Sequence, residues 1–227
     1  MMKRLLLAAA ASTIAASTAI ANPPAGSDPA MWALENDPVA WEITEGLTTE
    51  VGARQAGTEA EARGRAWALN YLRKAGFANV REEPFDMPTW VRGEERAWVV
   101  SPFPQKFAIA ALGNSGSTGP NGLEAEVAYF PTIDDLRAAP NGSLAGKIAF
   151  VSHSMRPTQD GSSYGAFGPA RFSGPNIAAK KGAAAIVIRS IGTDSAHRNP
   201  HTGNTNFEAG VTPIPAGALS IPDADNL

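Results

Sequence analysis

No cysteine occurs among the 227 residues, so disulfides and thiolate chemistry are both excluded. Histidine is scarce too, at three residues, and none of them opens an H-x-D or H-E-x-x-H pattern. A metal bound here would have to draw its ligands from His, Asp and Glu, without a ready-made cluster in the sequence. Basic residues number 19 against 22 acidic ones, a net charge of -3, and they form no stripe, which argues against a nucleic acid partner. A single long apolar run is present, at the N-terminus, so no membrane span is expected once it is removed.

That run, MMKRLLLAAAASTIAASTAIA, places Lys3 and Arg4 ahead of an apolar stretch from Leu5 and ends on Ala19-Ile20-Ala21. It reads as a secretory signal peptide over residues 1–21, cleaved after Ala21, which directs the chain to a periplasm or outside the cell. Ser12, Thr13, Ser17 and Thr18 interrupt it too often for a membrane anchor. The remaining chain, about 200 residues, suffices for one ordinary domain or two small ones.

Residues 22–30, NPPAGSDPA, form a Pro-rich linker. Asp37-Pro38 then reads as an N-cap followed by proline at the first helical position, with Val39, Ile43 and Leu47 on one face. A capping box at Thr58 to Glu61 and a stop at Gly76 predict a longer helix over 59–75, along which Ala62, Ala66, Leu69 and Leu72 recur at helical spacing. Short strands are expected at 80–85, 97–100 and 107–112. GNSGSTGPNG, 113–122, has glycine at every third position and reads as a flexible connector and domain boundary. Beyond it, strands at 123–130, 147–152, 184–189 and 214–220 and short helices near 133–138 and 175–182 predict a small β-rich domain with peripheral helices. Ile148 to Val151 is apolar on both faces, as a doubly buried strand requires. Ser220-Ile221-Pro222-Asp223 has the form of a helix start close to Leu227. A helix that short is not expected to sustain itself in water.

Four motifs are candidates for chemistry. Gly161-Ser162-Ser163-Tyr164-Gly165 matches the G-x-S-x-G nucleophile elbow, which needs a strand directly before the serine and a helix directly after it. MRPTQD separates Ser163 from the preceding strand, and Gly168-Pro169 lies where the helix should run. Glu82-Glu83 and Glu94-Glu95 are paired carboxylates; the first pair reads as solvated charge, because neighbours on a strand point to opposite faces, and the second as exposed charge in the turn RGEER. His153, at the end of the apolar strand, reads as a hydrogen-bonding residue. His197 and His201 are four apart, the spacing of a helical zinc pair, but Pro200 between them breaks the helix that such a site requires.

Several segments together resemble one family. GARQAGTEAEARGRAWALNYLRKAGFANVREEPF is similar to the region near the N-terminus of secreted zinc exopeptidases of the aminopeptidase and carboxypeptidase Q type. SLAGKIAFVSH, PNIAAKKGAAAIVIRS and IPAGALSIPDAD resemble the protease-associated domain of those enzymes, and TQDGSSYG and NPHTG look like the carboxypeptidase Q branch. The resemblance covers nearly the whole chain after the signal peptide. It implies an α+β fold: a β-rich protease-associated domain at 119–220, inserted after the opening helices and strands of an incomplete α/β zinc-peptidase domain at 31–118, whose missing remainder would begin at 221–227. It implies two zinc ions and a peptide substrate in the full enzyme, and a homodimer of that enzyme is compatible with it.

The family's metal ligands lie after the protease-associated domain, so none is carried onto a residue here, and no catalytic residue is assigned. The expectation is an N-terminal portion of an exported zinc exopeptidase, inactive alone, with no zinc bound specifically by this chain. His201, Thr202 and Gly203 are the expected substrate-side loop. The competing readings are a free-standing protease-associated module that binds peptides or a protein and, third, a serine hydrolase using Ser163.

Overall fold

The computed structural model describes residues 22–227, and the signal peptide expected at 1–21 lies outside the described residues. The chain divides into two compact units, one up to Met87 and one from Pro88 to Leu227.

Three helices make up the described part of the first unit. The Pro-rich linker gives way to α1, Pro29–Asn36, whose N-cap Asp28 accepts a hydrogen bond from the Ala30 amide at 2.9 Å. Asp37 does the same for Val39 at the start of α2, Val39–Gly46, which runs on as a π-helical turn over Leu47–Val51 and ends at Gly52 with φ +78°. Thr58 caps α3, Glu59–Lys74, through the Glu61 amide, and Gly76 takes the left-handed conformation beyond its end. A Cβ on Gly46 would lie 2.3 Å from a ring carbon of Trp67, so only glycine lets that indole rest against α2. Trp67 stacks in turn on Tyr71, with centroids 5.1 Å apart. The packed stripe of α3 therefore runs through Gly64, Trp67 and Tyr71, while Ala62, Ala66 and Leu72 face solvent.

The strand expected at 80–85 does not form. Its polar residues hold ion pairs, Arg65–Glu82 at 3.2 Å and Arg81–Glu83 at 2.5 Å, and Phe85 is exposed. A strand needs a neighbouring backbone edge, and a VREEPF segment offers little apolar surface to recruit one.

In the second unit, β1 (Ala97–Val99) and β2 (Gln105–Phe107) pair antiparallel. A five-stranded sheet follows with β3 (Ile109–Ala111), β4 (Val127–Phe130), β5 (Ile148–Val151), β6 (Ala185–Arg189) and β7 (Ala216–Leu219), in the order β3-β7-β6-β5-β4. Only β3 runs antiparallel to its neighbour; β4 to β7 are mutually parallel. Parallel neighbours need crossovers: α4 (Ile133–Ala138) lies between β4 and β5, α5 (Tyr164–Phe172) and α6 (Gly174–Lys180) lie between β5 and β6, and residues 190–215 join β6 to β7 without a helix. The architecture is thus mixed α/β around a mixed sheet. Where a small β-rich domain with peripheral helices is expected, the structure has a mixed sheet with helices between its parallel strands.

Both faces of the sheet are covered. Ala149, Val151, Ile186 and Ile188 pack with Leu136, Leu112 and Ala170 on one side, and Phe150 with Phe107 and Leu219 on the other. The alternation along β5 sends successive side chains to opposite faces, as its sequence predicts.

The connector expected at 113–122 is firmly held over its first half. Gly113 donates to the Gly203 carbonyl and accepts from the Thr205 amide, both at 2.9 Å, and Gly116 donates to the Ile214 carbonyl at 3.0 Å. A Cβ at Gly116 would meet the Pro213 oxygen at 2.3 Å, so its glycine serves close packing. The helix start at Ser220 is realised as α7, Ile221–Asn226. It persists despite its length because Asp223 is buried and accepts from Ser220 Oγ at 2.6 Å, the Ala108 amide at 2.8 Å and Arg198 Nε at 3.0 Å.

Candidate functional site

The loop at 201–203 is built onto the sheet and α5. Ser190, buried just after β6, donates to the Leu219 carbonyl at 2.5 Å and accepts from the His201 amide at 2.8 Å, which pins the loop backbone beside the ends of β6 and β7. From α5, Tyr164 and Arg171 are seven residues apart, two helical turns, and so project from one face. Arg171 Nη1 donates to Tyr164 Oη at 2.7 Å, and Tyr164 Oη lies 2.8 Å from His201 Nε2. With the phenol accepting from the guanidinium, its own proton goes to Nε2, which leaves the imidazole neutral and protonated on Nδ1. Burial and the Arg171 charge both hold the His201 pKa below its ordinary value, in agreement with a neutral ring.

Thr202 and Gly203 complete the cluster. Arg171 Nη1 also donates to the Thr202 carbonyl at 3.4 Å, and Arg92 Nη2 reaches the Thr202 hydroxyl from another direction at 3.3 Å. A Cβ on Gly203 would lie 2.8 Å from Arg171 Nε, so this glycine is what lets the guanidinium lie against the loop. The three loop residues expected to act together are thus brought into one polar cluster, with Arg171, Tyr164 and Arg92 added to them.

Those additions were hard to read. The helix that carries Tyr164 and Arg171 contains Pro169, whose lack of an amide proton argues against a helix interior. The available signal was the seven-residue spacing within YGAFGPAR. The structure corrects the expectation at Ser163: a helix does follow it directly, with Ser163 as its N-cap. The other requirement of an elbow stays unmet, since β5 ends at Val151. Ser163 Oγ donates to the Arg156 carbonyl at 2.7 Å, and His201 Nε2 is engaged by Tyr164, so serine and imidazole do not form a nucleophile and base pair.

The remaining candidates separate. His197 is exposed and its Nδ1 lies 2.9 Å from Asp194 Oδ1, a local contact within its own loop. His153 packs on Phe167 with ring centroids 4.2 Å apart, and burial lowers its pKa against the opposing pull of Asp134 and Asp135. Glu94 pairs with Arg96 at the surface. Glu95 departs from the expectation of plain exposure: it pairs with Arg92 and accepts from the Ala111 amide at 2.6 Å, orienting the arginine that reaches Thr202. A hollow of about 310 Å³ lies beside His201, lined by Ser190, Ile191, Thr193, Asp194 and Ile221 among others. Among the described residues, no three His, Asp or Glu side chains are grouped so as to hold a metal ion. The donor set present therefore does not fit a zinc centre, and no hydrolytic step can be routed through one on these residues.

No family model matches the chain. Curated relatives do: it is 36% identical over 180 residues to carboxypeptidase Q of Bos taurus and 33% identical over 179 residues to carboxypeptidase Q of Homo sapiens. Each match takes in 79% of this chain and 36% of the relative, so the chain spans about a third of the length of these proteins. Among solved structures, a peptidase M28 precursor from Shewanella amazonensis SB2B superposes with a TM-score of 0.77 at 44% identity, over 87% of this chain and 44% of that one. A zinc aminopeptidase from Bacillus subtilis shares the fold, with a TM-score of 0.56 at 20% identity, over 83% of this chain and 40% of that one. Over the part of those proteins that it spans, the chain is similar in sequence to carboxypeptidase Q and in sequence and fold to an M28 peptidase.

Proposed function

We propose that this chain serves as the N-terminal part of an exported zinc-dependent exopeptidase, with residues 119–220 acting as its protease-associated domain and the loop at 201–203 contributing to the substrate side. The observation that carries this reading is the relationship to carboxypeptidase Q combined with a donor set that holds no metal cluster among the described residues. Peptide-bond hydrolysis at two zinc ions would then depend on ligands outside the part that matches, and the present chain would bind and orient substrate without cleaving it. Export rests on the signal-like run at residues 1–21. Among the described residues no helix is long and apolar enough to cross a membrane.

The loop is suited to a substrate-side role because its backbone is pinned by Ser190 while the His201 side chain remains exposed. A fixed backbone with an accessible polar group orients a ligand at little entropic cost. In the exopeptidase that carries this segment, His201→Ala is expected to lower kcat/KM on peptides about tenfold, the loss of one well-placed polar contact. Unchanged catalytic efficiency in that variant contradicts the assignment.

A further inference from the structure

We infer that Arg171, Tyr164 and His201 form a subsite for the carboxylate of a small peptide. The inference rests on the substrate-side reading of the loop and adds to it a ligand class and two residues. Its starting point is the state of Arg171. Only 7% of this residue is exposed, yet among the described residues its guanidinium meets a phenol, a neutral imidazole and a carbonyl, and no carboxylate. Arg189, whose side chain is buried to a similar degree, is paired with Asp225. Arg198 is paired with the buried Asp223. A buried cation that lacks a counter-charge gains strongly from an anion brought to it, because little solvent screens the attraction.

The guanidinium keeps one donor atom for an anion. Among the described residues, Arg171 Nη1 is used by the protein, whereas Nη2 carries no hydrogen bond and Nε is buried without a partner against Gly203. Nη2 is thus the donor left for a ligand oxygen, beside the His201 ring, which Nη1 contacts. Arg92, held by Glu95 on the other side of Thr202, adds a second guanidinium to the surroundings. A carboxylate seated there would neutralise Arg171 and draw the phenol and imidazole into one polar network.

The test uses the 227-residue chain and proton–carbon NMR of its histidine rings, which are few enough, at three, to be followed individually. Acetyl-dialanine carries a main-chain carboxylate, N-acetyl-glutamic acid α-amide carries only a side-chain carboxylate, and acetyl-dialanine amide carries none. The expected result is a saturable shift of the His201 ring with one or both carboxylates and none with the amide; which acid acts tells whether the subsite reads a peptide terminus or an acidic side chain. Arg171→Gln should abolish the shift. Should that variant fail to fold, Tyr164→Phe, which removes a single half-buried hydroxyl, should weaken binding about tenfold. No shift with either acid, or an equal shift with the amide, overturns the subsite. If His201→Ala lowers peptidase efficiency while both acids leave the ring unmoved, the substrate-side loop stands and the carboxylate subsite falls.

Discussion

At the scale of single residues, the site is governed by Arg171 and by what its neighbours had to be to accommodate it. Tyr164 accepts from it, Gly203 leaves room for it, and His201 is kept neutral beside it. The folded pKa of His201 lies below its ordinary value of 6.5, so the unfolded chain takes up the proton first as pH falls. Any stability that the neutral ring contributes is complete above pH 6.5 and is lost as pH drops below that value towards the folded pKa. An NMR titration should find the His201 midpoint below 6.5, and Arg171→Gln should raise it by removing the repelling charge. A midpoint at or above 6.5 in the unaltered chain contradicts the network. His201, Thr202 and Gly203 were legible from sequence as a shaped polar loop, whereas Arg171 was not. Nothing in a sequence marks an arginine as buried, and its burial depends on Gly203, thirty-two positions away by number, coming to lie against it.

At the scale of elements, legibility tracked how local the determinants are. Helix α3 was readable because its cap at Thr58 and its stop at Gly76 are encoded within the segment. Strand β5 was readable because Ile148 to Val151 is apolar on both faces. Two elements were misread for opposite reasons. The strand expected at 80–85 has an acceptable local pattern but finds no edge to pair with, and α5 forms in spite of Pro169 because Gly168, Ala170 and Arg171 are buried. Packing outweighs propensity in both directions. The same logic makes β5 a point of vulnerability. Phe150 is almost fully buried and anchors the face of the sheet formed with Phe107 and Leu219. Phe150→Ala should cost about 3–5 kcal/mol in denaturant unfolding. A loss under about 1 kcal/mol would mean that this face is not a packed core.

At the scale of the whole molecule, two properties stand together: kinship with exopeptidases and, among the described residues, no grouping of side chains able to hold a metal. Sequence motifs in their order carried the kinship, since each is short and their succession along the chain is what resembles the family. The arrangement of the sheet was less legible. Strand segments were visible one by one, but the parallel pairing of β4, β5 and β6 depends on short helices whose role as crossovers appears only in three dimensions. The central claim is that this chain positions peptide while the hydrolytic metals depend on ligands elsewhere. Its most direct test is a zinc titration of the purified 227-residue chain by calorimetry, run alongside a dipeptide-hydrolysis assay with and without a chelator. The account predicts no stoichiometric zinc binding and no hydrolysis above the protein-free rate. Stoichiometric zinc uptake together with chelator-sensitive cleavage would contradict it.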